Sequence, residues 1–454
     1  MEQSLWFETA LVGEDWRESV RLRHRDGAIT AVEIGVASGA GDERAVIGLP
    51  GLSNVHSHAF QRGMAGLAET AGPTDDDFWT WREVMYRFLD RLSPEDVETI
   101  AALAYAEMLE TGFTRVGEFH YLHHAPDGRT YADPAEMAVR IAAAAARTGI
   151  ALTLLPVFYA HAGFGGEPPA PGQRRFLSSP ETFADLVNGA QRAGAGLANF
   201  CLGVAPHSLR AVTPAELSAV VDIGGGGPVH IHAAEQVKEV RDCEAWCGQR
   251  PVAWLLDHAD LDERWCLIHA THIDEAEISG MIKAGAAAGL CPITEANLGD
   301  GVFPARRFLS AGGRFGLGTD SNVLIDAAGE LRALEYSQRL SARTRNVLAL
   351  AGRGSVGGSL YRAALNGGAR ALGVHAIGFQ VGAAMDAVSL EANHVGLTGR
   401  RDDALLDGWI FAARDGAVDG VWRAGRKVVS DGRHAEKDAI AADYRHVLRR
   451  LLTQ

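Results

Sequence analysis

Apolar and polar residues alternate through the N-terminal segment, as in Leu5-Trp6-Phe7, Val20-Arg21-Leu22-Arg23 and Ile29-Thr30-Ala31-Val32, with turn signals at Gly13 and Asp26-Gly27. A period of two is the signature of strands with one covered face, so short antiparallel strands are predicted here. The same texture returns near the other end at Ala387-Val388-Ser389-Leu390, at Trp409-Ile410-Phe411 and from Val421 to Val429, each predicted as a strand. Between them the pattern changes. Short apolar runs (Ile150 to Pro156, Val229 to His232, Trp265 to His269) alternate with Ala-rich stretches of helical character, such as Pro94 to Thr111 and Pro134 to Thr148. Strand then helix, repeated, predicts parallel β/α units.

The fold expected is therefore α/β. Residues 50–379 are enough for a (β/α)8 barrel of the TIM type with insertions, and residues 1–49 and 380–434 supply strands that meet as one small β-sandwich domain. Residues 435–454 predict a closing C-terminal helix.

Composition narrows the function classes. Across 454 residues, 43 Lys+Arg face 57 Asp+Glu, a formal charge of −14, so nothing favours nucleic acid or an anionic membrane as a partner. Five cysteines form no disulfide framework, which fits a reducing compartment. No apolar run is long enough to span a membrane and no basic-then-apolar leader pattern follows Met1, so a cytoplasmic protein is expected.

Chemistry concentrates where apolar runs end. Pro50-Gly51-Leu52-Ser53-Asn54-Val55-His56-Ser57-His58 closes with two histidines whose spacing puts both on one face of a strand, able to grip one metal ion. Val229-His230-Ile231-His232 is followed three residues later by Glu235; a third run ends at His269, and a fourth, Phe315 to Thr319, at Asp320. In a barrel these ends converge on one mouth, so they form a candidate metal or catalytic site. His123, His124, His161, His230, His258, His272 and His394 lie outside this pattern and read as structural or solvated. Cys243 and Cys247 have no second pair at zinc-finger spacing and read as one helical face.

On these residues the chain resembles the amidohydrolase superfamily, whose barrels carry His-x-His on strand one, histidines on strands five and six and an aspartate on strand eight. The matching positions are His56, His58, His232, His269 and Asp320. Many members bridge two metals with a carboxylated lysine on strand four. The lysines here are Lys238, Lys283, Lys427 and Lys437, none ahead of His232, so the resemblance implies a single ion. The His232–Glu235 spacing is similar to the mononuclear deaminase branch. Gln61 to Gly66, Phe78 to Tyr86, Gly117 to His124, Ala205 to Arg210 and Cys291 to Gly301 resemble its formiminoglutamate deiminase family, with Pro292-Ile293-Thr294-Glu295 where nucleobase deaminases of the branch usually read Pro-x-Ser-Asn.

That resemblance implies hydrolysis of N-formimino-L-glutamate to N-formyl-L-glutamate and ammonia in histidine degradation, by a homodimer. It implies one zinc ion per chain on His56, His58, His232 and Asp320; iron or another divalent ion would also suit these donors. Glu235, His269 and Asp320 are then the catalytic groups, with Glu235 as proton shuttle. Gln61, Arg82, Tyr121, His207 and Arg210 bind a substrate with two carboxylates, for which arginine's planar fork is suited. The alternative is another mononuclear deaminase of the branch, acting on a nucleobase, an adenosine-like compound or a triazine.

Overall fold

Parallel strands Leu52–Ser57, Phe113–His120 and Ala151–Phe158 take the first three places of a barrel, and two short strands, Cys201–Leu202 and Ala205–Pro206, share the fourth. Val229–Ala233, Trp265–His269, Ala287–Leu290 and Arg314–Leu317 follow as the fifth to eighth. Strand eight pairs with strand one. Bridges Val204 to Val229 and Ser208 to His232 join the fourth place to the fifth and close the ring. This computed structural model describes residues 2–71, 76–350, 352, 354–414 and 416–453. Among the described residues no helix is long and apolar enough to cross a membrane.

The barrel strands read as apolar runs because both faces are covered: every residue of strands one, two and three is buried. The intervening helices start and stop on local signals. Ser93 caps the helix Pro94–Glu110 in a reciprocal box with Asp96, and Pro94 fills a first-turn position that needs no N–H. Glu136–Thr148 ends at Gly149, whose φ of +81° is a left-handed conformation that glycine adopts freely.

The strands from both termini form a second sheet. Its order is Arg433–His434, Arg426–Ser430, Val418–Arg423, Ala387–Leu390, Glu43–Pro50, Gln3–Val12, Asp15–Arg25 and Ala28–Glu33. The sheet curls back on itself. Its edge strand reaches the segment leading into Ala387–Leu390 through Ile29 N to Ala383 O (2.9 Å) and Met385 N to Gly27 O (2.8 Å). The curl encloses Leu5, Phe7, Val20, Leu22, Phe379, Met385 and Trp422 as its own core. The last helix, Lys437–Leu452, buries Ile440 and Leu451 and ties to Pro94–Glu110 through Lys437 with Glu110 (2.7 Å) and Arg450 with Asp96.

One predicted strand is a helix. Trp409-Ile410-Phe411 ends the helix Asp403–Phe411, in which Leu405, Leu406, Trp409 and Ile410 are buried. Spacings of one, four and five make one helical face, and the apolar triplet taken alone concealed that period.

Candidate active site

His56 is inside strand one and His58 just past its end; both are buried. The end of strand eight is locked against them. Thr319 N and Asp320 N donate to His56 O (3.0 and 2.9 Å), His58 N donates to Asp320 O (2.9 Å), and Asn54 donates to Thr319 Oγ1 at 2.6 Å. Gly318 permits this approach, since a Cβ there would lie 2.8 Å from His56 Cβ. Asp320 takes φ +43° and His269 φ +66°, conformations that non-glycine residues occupy only where surrounding structure holds them.

Four side chains converge. One donor atom each from His56, His58, His232 and Asp320 lies within 4.8 Å of the others, and all four residues are buried. Asp320 Oδ1 is 3.4 Å from His56 Nε2 and 3.3 Å from His58 Nε2. His58 Nδ1 is occupied by Phe119 O (2.9 Å) and His232 Nδ1 by His207 O (3.0 Å), which turns each Nε2 toward the cluster. Both ring nitrogens of His56 are buried without a hydrogen bond. Burial holds all three imidazoles below the ordinary histidine range, hence neutral with a lone pair to offer. An orphaned buried imidazole beside two others and a carboxylate fits a divalent transition metal.

His269 and Glu235 stand beside this cluster. His269 Nε2 is 3.8 Å from Glu235 Oε1 and 3.8 Å from Asp320 Oδ2. Burial alone would depress His269, but the surrounding carboxylates of Glu235, Glu295 and Asp320 outweigh it and raise the imidazole to about 10. Burial pushes Glu235 up to about 7, against the opposing pull of His269 and Arg210. A carboxyl group tuned there is suited to carry protons near neutral pH.

The other expected residues line the same cavity: Gln61, Arg82, Tyr121, His207 and Arg210, together with His58, His232, Glu235, His269 and Asp320. Gln61 Nε2 donates to Tyr121 Oη (2.9 Å), leaving Gln61 Oε1 buried and unpartnered. His207 packs against His232 with ring centroids 4.8 Å apart, and burial keeps it neutral. Among the described residues neither Arg82 nor Arg210 has an ion pair, and buried Arg210 has an unpartnered Nε. Outside the cavity, His123, His124 and His230 bond backbone carbonyls of Val157, Leu177 and Ala371.

Sequence reasoning did not single out two buried carboxylates that hold these groups. Glu295 Oε1 lies 3.3 Å from His269 Nδ1 and accepts from Cys291 N at 2.9 Å, so it braces the ring from behind. Glu239 accepts from Glu235 N (3.1 Å) and Ala234 N (3.3 Å), fixing the turn that presents Glu235. The signal for Glu239 was its place four residues after Glu235 at a helix start; Glu295 stood in a quoted motif whose contact with His269 is purely tertiary.

Comparison with known proteins gives a consistent neighbourhood. Residues 47–428 match the model of the amidohydrolase family. A formimidoylglutamate deiminase of Pseudomonas aeruginosa is 50% identical over 451 residues, covering 99% of each chain. A crystal structure of an amidohydrolase from Brucella melitensis superposes with a TM-score of 0.96 at 54% identity, covering 99% of this chain and 100% of that one. An adenosine deaminase from Xanthomonas campestris with bound zinc shares the fold at a TM-score of 0.82 and 24% identity, over 100% of this chain and 99% of that one.

Proposed function

The chain belongs to the amidohydrolase family, and from that premise we propose that it is a formimidoylglutamate deiminase, hydrolysing N-formimino-L-glutamate to N-formyl-L-glutamate and ammonia as a step of histidine breakdown. One observation carries the substrate reading: two guanidiniums with no ion-pair partner among the described residues face the cavity that also holds the three-histidine, one-aspartate cluster. A buried Arg210 beside a half-buried Arg82 calls for an anionic ligand, and glutamate brings two carboxylates. A nucleobase offers them nothing equivalent.

His56, His58, His232 and Asp320 would hold one divalent ion, with zinc the reading that suits this donor set best. When bound, such an ion supplies Lewis acidity, making water a nucleophile near neutral pH. The remaining work falls to the chain's own side chains. Arg210 and Arg82 bind the glutamate carboxylates, which sets the formimino carbon toward Asp320, His269 and Glu235. Asp320 Oδ2, facing His269, takes the proton lost by the attacking water. His269, held charged by its carboxylate neighbours, donates toward the oxygen of the tetrahedral intermediate. Glu235 delivers a proton to the amidine nitrogen as water adds and is reprotonated by the intermediate's hydroxyl; Asp320 returns its proton to the same nitrogen, the carbon–nitrogen bond breaks, and ammonia leaves with the formyl group retained on glutamate.

Ammonia release tests the reading. Metal-loaded protein offered formiminoglutamate, guanine, adenosine and a chlorotriazine should act on the first alone; turnover of a nucleobase or triazine with none of formiminoglutamate would reverse the assignment.

A further inference from the structure

The helix Phe78–Leu89 carries Trp79 beside two arginines of the cavity lining, its backbone N–H tied to the Asp77 side chain at 2.8 Å. Three cations surround this one indole. Arg82 Cζ lies 4.4 Å from the ring centroid, Lys238 Nζ 5.5 Å and Arg210 Cζ 5.6 Å. The three come from separate parts of the chain: Arg82 from the same helix, Arg210 from the segment after strand four, and Lys238 from the helix Val237–Cys247 behind Glu235. Lys238 pairs with Asp242 at 2.5 Å, but the two arginines have no such partner among the described residues.

Like charges this close repel, and long side chains without partners lose their order. An acidic neighbour would hold them, but it would also neutralise them and would have to be displaced by any incoming carboxylate. An aromatic face attracts a cation without cancelling its charge. Resting on the reading of a dicarboxylate substrate given above, we propose that Trp79 is the positioning residue of the carboxylate subsite. Its indole keeps Arg82 and Arg210 in place yet unpaired, so the ordering that binding would otherwise require is already done in the free protein. The indole itself touches no reacting atom. Its influence on catalysis runs through the arginines and falls on substrate binding, not on the chemical step.

The experiment compares Trp79→Leu and Trp79→Phe with the parent, all metal-loaded. It reads KM and kcat for formiminoglutamate, and the affinity for glutarate, a dicarboxylate with no reacting end, by calorimetry. Leucine keeps apolar bulk but removes the aromatic face, so KM and the glutarate Kd should both rise about tenfold while kcat changes by less than about threefold. Phenylalanine should return both to within about threefold of the parent. Leucine and phenylalanine variants with equal deficits would overturn the proposal, as would a Leu variant whose glutarate Kd stays within about twofold of the parent. If the parent itself releases no ammonia from formiminoglutamate, the activity reading fails, and the glutarate affinities still decide the role of Trp79.

Discussion

Replacing Arg210 by methionine should damage the function and spare the fold. The residue is only 8% exposed and its Nε has no partner, yet burial is outweighed by Glu239 and Glu235, which hold the guanidinium charged from beyond ion-pair distance. Methionine has nearly the same reach but loses both the desolvation cost of the charge and its attraction to those carboxylates, two changes of opposite sign. Thermal stability of Arg210→Met should therefore stay within a few degrees of the parent. Substrate binding suffers far more, because a glutamate carboxylate supplies the contacting partner that this buried guanidinium lacks. Breaking such a pair costs roughly 2–5 kcal/mol, so kcat/KM for formiminoglutamate should fall by about 30-fold to about 5,000-fold. Arg82 is only half-buried, so Arg82→Met should fall toward the lower end of that range. The assay pairs initial rates of ammonia release with a melting curve on the same preparation. A kcat/KM within about threefold of the parent would refute the carboxylate pocket, and a change in Tm beyond several degrees would refute the view that burial and the nearby carboxylates nearly offset each other at Arg210.

Three further outcomes follow from the same geometry. Glu235→Gln should keep the fold and bound metal while lowering turnover by about 10²-fold or more, and near-parental turnover with metal content verified would remove Glu235 from the proton path. Elemental analysis of the active protein should find one transition-metal ion per chain, lost in Asp320→Asn, whereas two tightly bound ions would contradict a centre built without a bridging lysine. In the terminal sheet Arg21, Ser4 and Gly39 N hold the buried Asp42 carboxylate well below its usual range, so its contribution to stability is present above the unfolded pKa of about 4 and is lost as pH falls below it; unfolding of Asp42→Asn should be less pH-dependent on that acid limb, and an unchanged slope would count against the clamp.

The metal cluster was legible because a barrel translates a one-dimensional signal into a place. His56, His58, His232, His269 and Asp320 each end a contiguous apolar run, and parallel strands put such ends at one mouth. The terminal strands were equally plain, since alternation over Gln3–Val12 and Asp15–Arg25 has no helical reading. Trp409-Ile410-Phe411 misled because three apolar residues carry no period; the helix shows only when Leu405 and Leu406 are counted with them. Glu295 and Trp79 mark a different limit. Glu295's partner lies 26 residues away, and two of the three cations around Trp79 come from other elements of the barrel, so local spacing alone does not identify their work. Supporting residues of this kind become visible only when the chain is folded.

The central claim is a site with two ends, arginines for the carboxylates and the histidine–aspartate cluster for the formimino carbon. A crystal structure of the metal-loaded protein with an N-guanidino dicarboxylate, whose guanidine mimics the formimino group without being hydrolysed, tests both ends at once. The account predicts the carboxylates against Arg210 and Arg82 and the guanidine carbon beside Asp320, His269 and Glu235. A ligand bound in the reverse orientation, or with its carboxylates turned away from both arginines, would contradict it.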